Sequence, residues 1–244
     1  MNIKVFANKE AAGRAAADAI IAQINAKPNS VLGLPTGSSP IPVYDALAAA
    51  CSEKRISFKD IKTFNLDEYV GLNPAHPESY RYFMNKNLFT RVDIDLANTN
   101  LPCDGSDITD EEAATYDDRI KAAGGIDLQM LGIGPNGHIG FNEPGTAFDS
   151  LTHKEKLTQA TLDANARFFD NDPEKVPKYA VTLGIKAIMN AKKIVMIITG
   201  ANKAQAVKDA VEGPVTVDVP ASILQLHPDC TFYLDAEAAS MLGK

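Results

Sequence analysis

The sequence predicts an α/β fold: a single-domain, Rossmann-like parallel-sheet sandwich with helices on both faces. Short apolar segments alternate with longer helical segments along the whole chain, which is typical of repeated βαβ units. The segment KIVMIIT at 193–199 is almost continuously apolar, as expected of a strand that is covered on both faces of a parallel sheet. The 244 residues suffice for one domain with a sizeable core, so we treat 1–244 as a single domain.

The first ninety residues alternate regularly between strand and helix. The predicted strands lie at 3–6, 31–34 and 61–66, and the predicted helices at 9–26, 43–51 and 78–89. Alanine and isoleucine recur at helical spacing in the first of these helices. The aromatic side chains of the third helix are expected in the core.

The rest of the chain continues this alternation. The predicted elements are helix 110–123, strands 127–133, 157–162 and 179–183, helix 184–190, strand 193–199, helix 203–211 and strand 230–234. An acidic cap begins the first of these helices and Gly124-Gly125 follows its end, which are helix start and stop signals.

The composition is ordinary for a globular protein and limits the possible partners. Hydrophobic residues make up 45% and charged residues 23% of the chain, which excludes global disorder. The net charge of −7 argues against nonspecific nucleic-acid binding, because phosphate backbones are held chiefly by clustered Lys and Arg. A small phosphorylated ligand needs only a local pocket of amides and a few cations, so the charge does not exclude one.

Cysteine content and hydropathy bear on the cellular compartment. Cys51, Cys103 and Cys230 are odd in number and widely spaced, which indicates neither a disulfide framework nor a metal site. No segment offers the ~18 uninterrupted apolar residues of a membrane span, and the N-terminus lacks a signal-like apolar run. We expect a cytoplasmic protein without a membrane partner.

The stretch LGIGPNGHIGFNEPG at 131–145 is the strongest chemical signal. A buried strand ends there among glycines, where backbone can approach a ligand closely. His138 lies near Asn136 and Glu143, and a histidine flanked by an amide and a carboxylate suits general acid–base catalysis. A plain strand and polar turn is the alternative, because a glycine-rich loop alone is a weak signal. The polar, irregular segment 146–156 is expected to close over a ligand.

Two further loops have features of anion binding. Strand 31–34 ends in PTGSSP before a helix. Freed amides at Gly37 and the hydroxyls of Ser38 and Ser39 then point at one spot, unless the serines merely cap the helix. Lys203 opens a later helix, where a cation is unfavourable for the helix dipole unless an anion binds there.

An acidic pair and an arginine complete the candidates. Asp67 and Glu68 follow strand 61–66, and working residues gather outside the carboxyl ends of strands in open α/β sheets. Asp67 is the stronger candidate for a functional residue, and the alternative is that it caps a helix or lies in a solvated turn. Arg167 precedes two phenylalanines, and its side chain either binds a ligand or packs its aliphatic part over the core. His227 is expected to be structural.

Six motifs occur in one order across almost the whole chain: GLPTGSSP, FNLDEYVGL, HPESY, GIGPNGHIGFNEPG, ARFFDNDPEKVPKYAVTLG and LQLHP. In order and spacing they resemble the glucosamine-6-phosphate deaminase (isomerase) family. The resemblance implies the conversion of glucosamine 6-phosphate and water to fructose 6-phosphate and ammonium, in amino-sugar catabolism. It implies a small sugar phosphate as partner, and neither a metal nor a redox cofactor.

The resemblance also implies a role for each candidate. His138 would open the pyranose ring, with Glu143 and Asn136 orienting and tuning its imidazole. Asp67 would take the proton from C2 and return it at C1, after which water adds at C2 and ammonia leaves. The phosphate would lie on a glycine, two serines and two cations, namely Gly37, Ser38, Ser39, Arg167 and Lys203.

Two departures from the family pattern matter. Asn136 stands where some members have aspartate; an amide can still hydrogen-bond the imidazole but cannot stabilise imidazolium by charge, so we expect Glu143 to carry that role. Larger members are hexamers activated by N-acetylglucosamine 6-phosphate, and here His153 and Glu155 replace their basic residues. We therefore expect no activator site and hyperbolic kinetics, with a monomer favoured.

Two other functions compete. A 6-phosphogluconolactonase shares the fold but hydrolyses an ester and has no use for Asp67 in carbon–proton transfer, so FNLDEY argues against it. A non-enzymatic sugar-phosphate sensor usually accompanies a DNA-binding segment. This acidic chain offers neither a helix-turn-helix candidate nor spare length for one.

Overall fold

The computed structural model describes residues 1–243, and within them the strands form two sheets of unequal size. The larger sheet contains β1 (Asn2–Phe6), β2 (Val31–Leu34), β3 (Lys62–Asn65), β5 (Thr99–Asn100), β6 (Leu128–Leu131), β9 (Ile194–Ile198) and β10 (Cys230–Asp235). The smaller sheet contains β4 (Asp67–Tyr69), β7 (His153–Lys156) and β8 (Tyr179–Thr182). Neighbouring strands are parallel in the larger sheet and antiparallel in the smaller one.

Seven α-helices flank these strands in the described part of the chain. They are α1 (Lys9–Ala26), α2 (Ile41–Ser52), α3 (Tyr80–Asn87), α4 (Asp110–Ala122), α5 (Gln159–Asn165), α6 (Ile185–Met189) and α7 (Ala204–Glu212). Side-chain caps begin several of them: Asn8 accepts the Ala11 N–H before α1, and Thr109 and Glu112 form a capping box at α4. Such caps stabilise the N–H groups that the first turn of a helix leaves unpaired.

Helices cover both faces of the larger sheet. All five residues of β9 are buried, and they alternate between two apolar clusters. Ile194, Met196 and Ile198 pack with side chains of α4, α6 and α7. Val195 and Ile197 pack with side chains of α1 and α2. Because successive side chains of a strand point to opposite faces, this alternation confirms the predicted parallel sheet with helices on both sides.

The order of the strands creates a crevice at the carboxyl edge of the sheet. The spatial order is β1-β10-β9-β6-β2-β3-β5. From β2 the chain proceeds outward through β3 to β5, whereas from β6 it proceeds in the opposite direction through β9 to β10. The loops after β2 and β6 therefore diverge, which is the topological switch point where open α/β sheets bind ligands.

The smaller sheet was not predicted from the sequence. The segment Asp67–Tyr69, expected as a loop, is strand β4 and pairs with β8 in the register Asp67–Thr182. Segment 146–156 is irregular only as far as 152, because His153–Lys156 forms β7. Its HKEK sequence lacks apolar alternation, so no strand signal is present. The prediction of an irregular segment is therefore wrong for 153–156, which is paired in a sheet, and closure of this segment over a ligand stays a prediction.

The predicted strand at 157–162 is also wrong, since helix α5 begins at Gln159. The Thr158 side chain accepts the N–H of Thr161 at 3.2 Å and so caps α5. Leu162 packs in a third cluster with Tyr69 and Phe141. Threonine suits a strand as well as a helix cap, and the contact of Leu162 with a distant strand decides between the two.

No helix among residues 1–243 has both the length and the apolar character required to cross a membrane.

Candidate active site

The predicted site residues follow four neighbouring strands of the larger sheet. In spatial order these strands are β9, β6, β2 and β3. Lys203 follows β9, His138 follows β6, Ser38 follows β2 and Asp67 follows β3. The topology therefore brings to one edge of the sheet residues that are far apart in the sequence. Arg167 reaches this region from a different element, the turn after α5.

His138 lies on a tight turn of the loop after β6. The Gly134 N–H donates to the His138 carbonyl at 2.8 Å and the Gly137 N–H to the Gly134 carbonyl at 3.1 Å. The imidazole packs directly on Gly134, where a Cβ would overlap three atoms of the ring. Gly137 has a φ of +84°, in the left-handed region that favours glycine. The glycines of the motif thus determine where the imidazole lies.

His138 and Glu143 form a pair at the base of this loop. Nδ1 of His138 lies 3.6 Å from Oε2 of Glu143, and among residues 1–243 this buried nitrogen has no hydrogen-bond partner. Glu143 accepts hydrogen bonds from Asn136 Nδ2 at 2.7 Å and from Thr161 Oγ1 at 2.6 Å. The carboxylate is therefore held on both oxygens, with Oε2 turned toward the imidazole.

The surroundings of Glu143 keep it ionised. Burial raises the pKa of Glu143, but the adjacent His138 imidazole and the donors on Thr161 and Asn136 outweigh this effect and lower the pKa to about 2. A carboxylate that stays charged at neutral pH stabilises an imidazolium beside it. This arrangement suits a histidine that takes up and returns protons.

Asn136 contacts Glu143 rather than the imidazole ring. Its Nδ2 donates to Glu143, and its Oδ1 accepts the backbone N–H of His138 at 3.3 Å. The expectation that the amide hydrogen-bonds the imidazole is therefore modified, because the hydrogen bonds of Asn136 in the described chain reach Glu143 and the loop backbone. Any influence of Asn136 on the ring passes through those groups.

Asp67 lies at the same edge of the sheet, at the start of β4. It is 7% exposed, and its Oδ2 lies 3.6 Å from where a Cβ on Gly140 would stand, so the carboxyl lies close to the backbone of the His138 loop. Burial, and then the charge of the neighbouring Glu68, raise the pKa of Asp67 to about 8. A carboxyl with a pKa near neutrality can both take up and return a proton.

Backbone N–H groups hold the carboxylate of Glu68, the neighbour of Asp67 in the sequence. Its carboxylate accepts the N–H of Tyr69 at 2.8 Å, of Tyr80 at 3.0 Å and of Arg81 at 2.9 Å. Tyr80 and Arg81 begin α3, so Glu68 binds the positive end of this helix. The two acidic residues therefore differ in their surroundings: Asp67 lies beside the His138 loop and Glu68 anchors a helix.

The loop after β2 leaves donors free at the start of α2. Gly37 has a φ of +95°, and Gly37 and Ser38 are exposed. The N-cap position of α2 is Pro40, and within the part of the chain that the structure describes no side-chain hydrogen bond caps this helix. The serines therefore do not cap α2, which excludes the alternative weighed for this loop and leaves their hydroxyls and the helix N-terminus to a ligand.

Lys203 and Arg167 come close enough for their charges to interact. Lys203 is the last residue of a 3₁₀ turn, Ala201–Lys203. The carboxylate of Asp235 accepts the Gly200 N–H at 3.0 Å and so fixes the start of this turn. Burial, and then the charge of Arg167, lower the pKa of Lys203. Two cations that repel each other are stabilised when an anion binds between them.

The sequence analysis missed Thr161. Its hydroxyl contacts a carboxylate 18 positions away, and a threonine in the first turn of a helix carries no signal for such a contact. The role expected for His227 agrees with its surroundings, since Nε2 bonds the Ala191 carbonyl at 2.8 Å and the ring is buried.

Comparison with known proteins identifies close relatives. A family model described as glucosamine-6-phosphate isomerases/6-phosphogluconolactonase matches residues 7–232. The chain is 47% identical over 242 residues to a glucosamine-6-phosphate deaminase of Thermoanaerobacter pseudethanolicus, covering 99% of this chain and 95% of that protein. It is 49% identical over 244 residues to a deaminase of Rhodopirellula baltica, covering 100% of this chain and 97% of that protein.

Solved structures extend the comparison. A monomeric glucosamine-6-phosphate deaminase superposes with a TM-score of 0.96 at 41% identity, covering 99% of this chain and 100% of that one. A 6-phosphogluconolactonase from Trypanosoma brucei superposes with a TM-score of 0.78 at 19% identity, covering 99% of this chain and 98% of that one. At that identity the second likeness shows a shared fold.

Proposed function

The chain belongs to the glucosamine-6-phosphate isomerase and 6-phosphogluconolactonase family, and we propose that the site at the carboxyl edge of its sheet performs the deaminase reaction through Asp67, His138 and Glu143. The reaction converts glucosamine 6-phosphate and water to fructose 6-phosphate and ammonium, an aldose–ketose isomerisation with hydrolysis of a C–N bond. Near-full-length deaminases at 46–49% identity support this activity for the chain.

The observation that carries the mechanism is the position of Asp67 across from the His138 loop. An isomerase must move a proton between two neighbouring carbons, which requires one base that both accepts and donates. Asp67 is buried, lies beside the loop backbone and has a pKa of about 8. Hydrolysis of a lactone involves no such carbon–proton transfer, so this base favours the deaminase over the lactonase.

His138 opens the sugar ring in this proposal. It moves a proton from the anomeric hydroxyl to the ring oxygen, which breaks the C1–O5 bond and leaves an open-chain amino-aldehyde. Glu143 stabilises the imidazolium that forms on the way, since its carboxylate remains ionised 3.6 Å from Nδ1. The packing of the ring on Gly134 and the hydrogen bond from Asn136 to Glu143 support this role.

Asp67 then moves the proton along the chain of the open sugar. It removes the proton from C2, the electron pair forms the C1–C2 double bond of an enolamine, and the C1 oxygen takes up a proton. Return of the proton to C1 leaves a C2 iminium, to which water adds before ammonia leaves. Every step is a proton transfer, an addition or an elimination at a carbon activated by oxygen or nitrogen, so the proposed steps call for neither a metal nor a redox cofactor.

The phosphate binds at the loop after β2 in this proposal. The backbone and side chains of Gly37, Ser38 and Ser39 supply donors, and Arg167 and Lys203 supply positive charge. The uncapped start of α2 and the proximity of the two cations support this assignment. A phosphate at this position leaves the sugar to extend toward His138 and Asp67.

We also propose that the chain works as a monomer in the cytoplasm. The solved monomeric deaminase that superposes over its full length supports the first part. The charge, the cysteine content and the small anionic substrate support the second.

Ammonium release from glucosamine 6-phosphate tests the function. We expect release by the wild-type protein and a loss of at least ~10³-fold in Asp67→Asn, because the variant keeps the size of the side chain but cannot accept the C2 proton. Hydrolysis of 6-phosphogluconolactone is measured in parallel. Release by neither protein, together with a substrate-induced rise in Tm, would reassign the pocket to a lactonase or a sensor.

A further inference from the structure

Helix α5 contacts both halves of the site. It spans Gln159–Asn165 and passes directly into the 3₁₀ turn Ala166–Phe168, which carries Arg167. Near its first turn the Thr161 hydroxyl bonds Glu143, and at its end Asn165 Nδ2 donates to the Tyr69 hydroxyl at 2.9 Å. One short segment therefore links the acid–base pair, the strand of Asp67 and a proposed phosphate cation.

The hydrogen bond from Thr161 is specified by its neighbours. Thr161 is 8% exposed, and its hydroxyl has a single proton, which it donates to Glu143 Oε1 at 2.6 Å. The Thr158 hydroxyl donates in turn to Thr161 Oγ1 at 3.0 Å and accepts the Thr161 N–H at 3.2 Å. Because Thr158 occupies the acceptor side of Thr161, the proton of Thr161 is directed at the carboxylate.

Glu143 depends on this contact for its orientation. Asn136 holds Oε2 from an exposed position on the loop, whereas Thr161 holds Oε1 from the buried side. The two donors together set the plane of the carboxylate. Without Thr161, Glu143 retains the Asn136 contact but is free to turn Oε2 away from the imidazole of His138.

We infer that Thr161 is a positioning residue for ring opening, which holds the Glu143 carboxylate against His138 and ties that pair to the segment that bears Arg167. The inference rests on the proposed function. Occupation of the phosphate site fixes the turn at Arg167, six positions along the same segment, and thereby favours the placement of α5 in which Thr161 reaches Glu143. The acid–base pair is then completed when the substrate phosphate is in place.

The test compares Thr161→Val with Thr161→Ser. Valine keeps the shape of threonine but loses the hydroxyl, and serine keeps the hydroxyl. We expect kcat of Thr161→Val to fall by roughly 10-fold or more, since a hydrogen bond to a charged group is lost, with KM within about threefold. Thr161→Ser is expected to recover most of kcat. Gln159→Ala, on the exposed side of the same helix, serves as the control with unchanged activity.

A double variant separates positioning from folding. In Glu143→Gln the carboxylate is already absent, so adding Thr161→Val is expected to cost little further activity, whereas independent effects multiply. Inorganic phosphate is expected to raise the Tm of Thr161→Val, since Arg167 and Lys203 are intact, but by less than that of the wild type, because a coupling between the phosphate site and the Thr161–Glu143 contact acts in both directions. Multiplying losses, or a Thr161→Val enzyme with wild-type kcat, would overturn the inference. An inactive wild type would instead overturn the proposed function.

Discussion

The imidazole of His138 rests on the bare Cα of Gly134, where a Cβ would overlap three ring atoms. The ring cannot remain there if residue 134 has a side chain. The proposed ring-opening group can therefore occupy its position only because residue 134 has no side chain.

Gly134→Ala is therefore expected to displace the imidazole and to lower kcat/KM by roughly 100-fold, since small misplacements of a catalytic group are costly. Gly132→Ala is the matched control, because a Cβ at Gly132 meets no atom within 4 Å and its φ is not positive. Activity of both variants is measured together with circular dichroism spectra. Equal activity in the two variants would contradict the proposed seat of the ring.

Glu68 is expected to set the pH at which Asp67 works. Burial and the Glu68 charge raise the pKa of Asp67 to about 8, and a base must be deprotonated, so kcat/KM should rise with pH through this region. Glu68→Gln removes the charge of Glu68 and should move this limb to lower pH. The pH profile of Glu111→Gln, an exposed carboxylate on α4, is the control. A limb that stays in place in Glu68→Gln would show that this charge does not act on Asp67.

Asp67→Asn is expected to stabilise the fold at alkaline pH. The pKa of Asp67 is about 8 in the folded protein and about 4 in an unfolded chain, so the folded state binds the proton more tightly. Its stabilising contribution is fully present below pH ~4 and is lost as pH rises through about 8. The asparagine variant avoids this loss, on the order of a few kcal/mol.

Thermal unfolding of the wild type and of Asp67→Asn at pH 5 and pH 9 checks this linkage. We expect the Tm of the variant to exceed that of the wild type by at least ~3 °C at pH 9 and by less at pH 5. A difference that is the same at both pH values would contradict the assignment of the shifted pKa to Asp67.

N-acetylglucosamine 6-phosphate is expected not to activate the enzyme. A cavity of about 710 Å³ borders the catalytic loop at Glu143, and its lining includes Asp110, Glu111 and Glu155 but no lysine or arginine among the described residues. His153 is held by Glu155 at 3.2 Å. Such a lining repels a phosphate. Initial rates against substrate concentration should be hyperbolic and unchanged by the activator; sigmoidal curves that it straightens would contradict this prediction.

The local pattern of the sequence was sufficient for the larger sheet and for the loops that carry the candidates. The strand pattern at 31–34 and the apolar run at 193–199 agree with β2 and β9, and the helix predicted at 9–26 has the bounds of α1. These elements are specified by the spacing of apolar residues along a short segment. The parallel order then places the ends of their strands at one edge.

The smaller sheet and the electrostatics of the site depend on residues that are distant in the sequence. β7 is a polar strand that exists because β8 pairs with it, and α5 is a helix whose Leu162 packs near Tyr69.

The sequence by itself determined the fold class, the family and the chemical types of the site residues, because periodicity and motif spacing are properties of neighbouring positions. Only the tertiary structure decided the pKa of Asp67, the packing of the His138 ring on Gly134 and the hydrogen bond from Thr161 to Glu143. Burial and hydrogen-bond partners are supplied by segments that meet only when the chain folds.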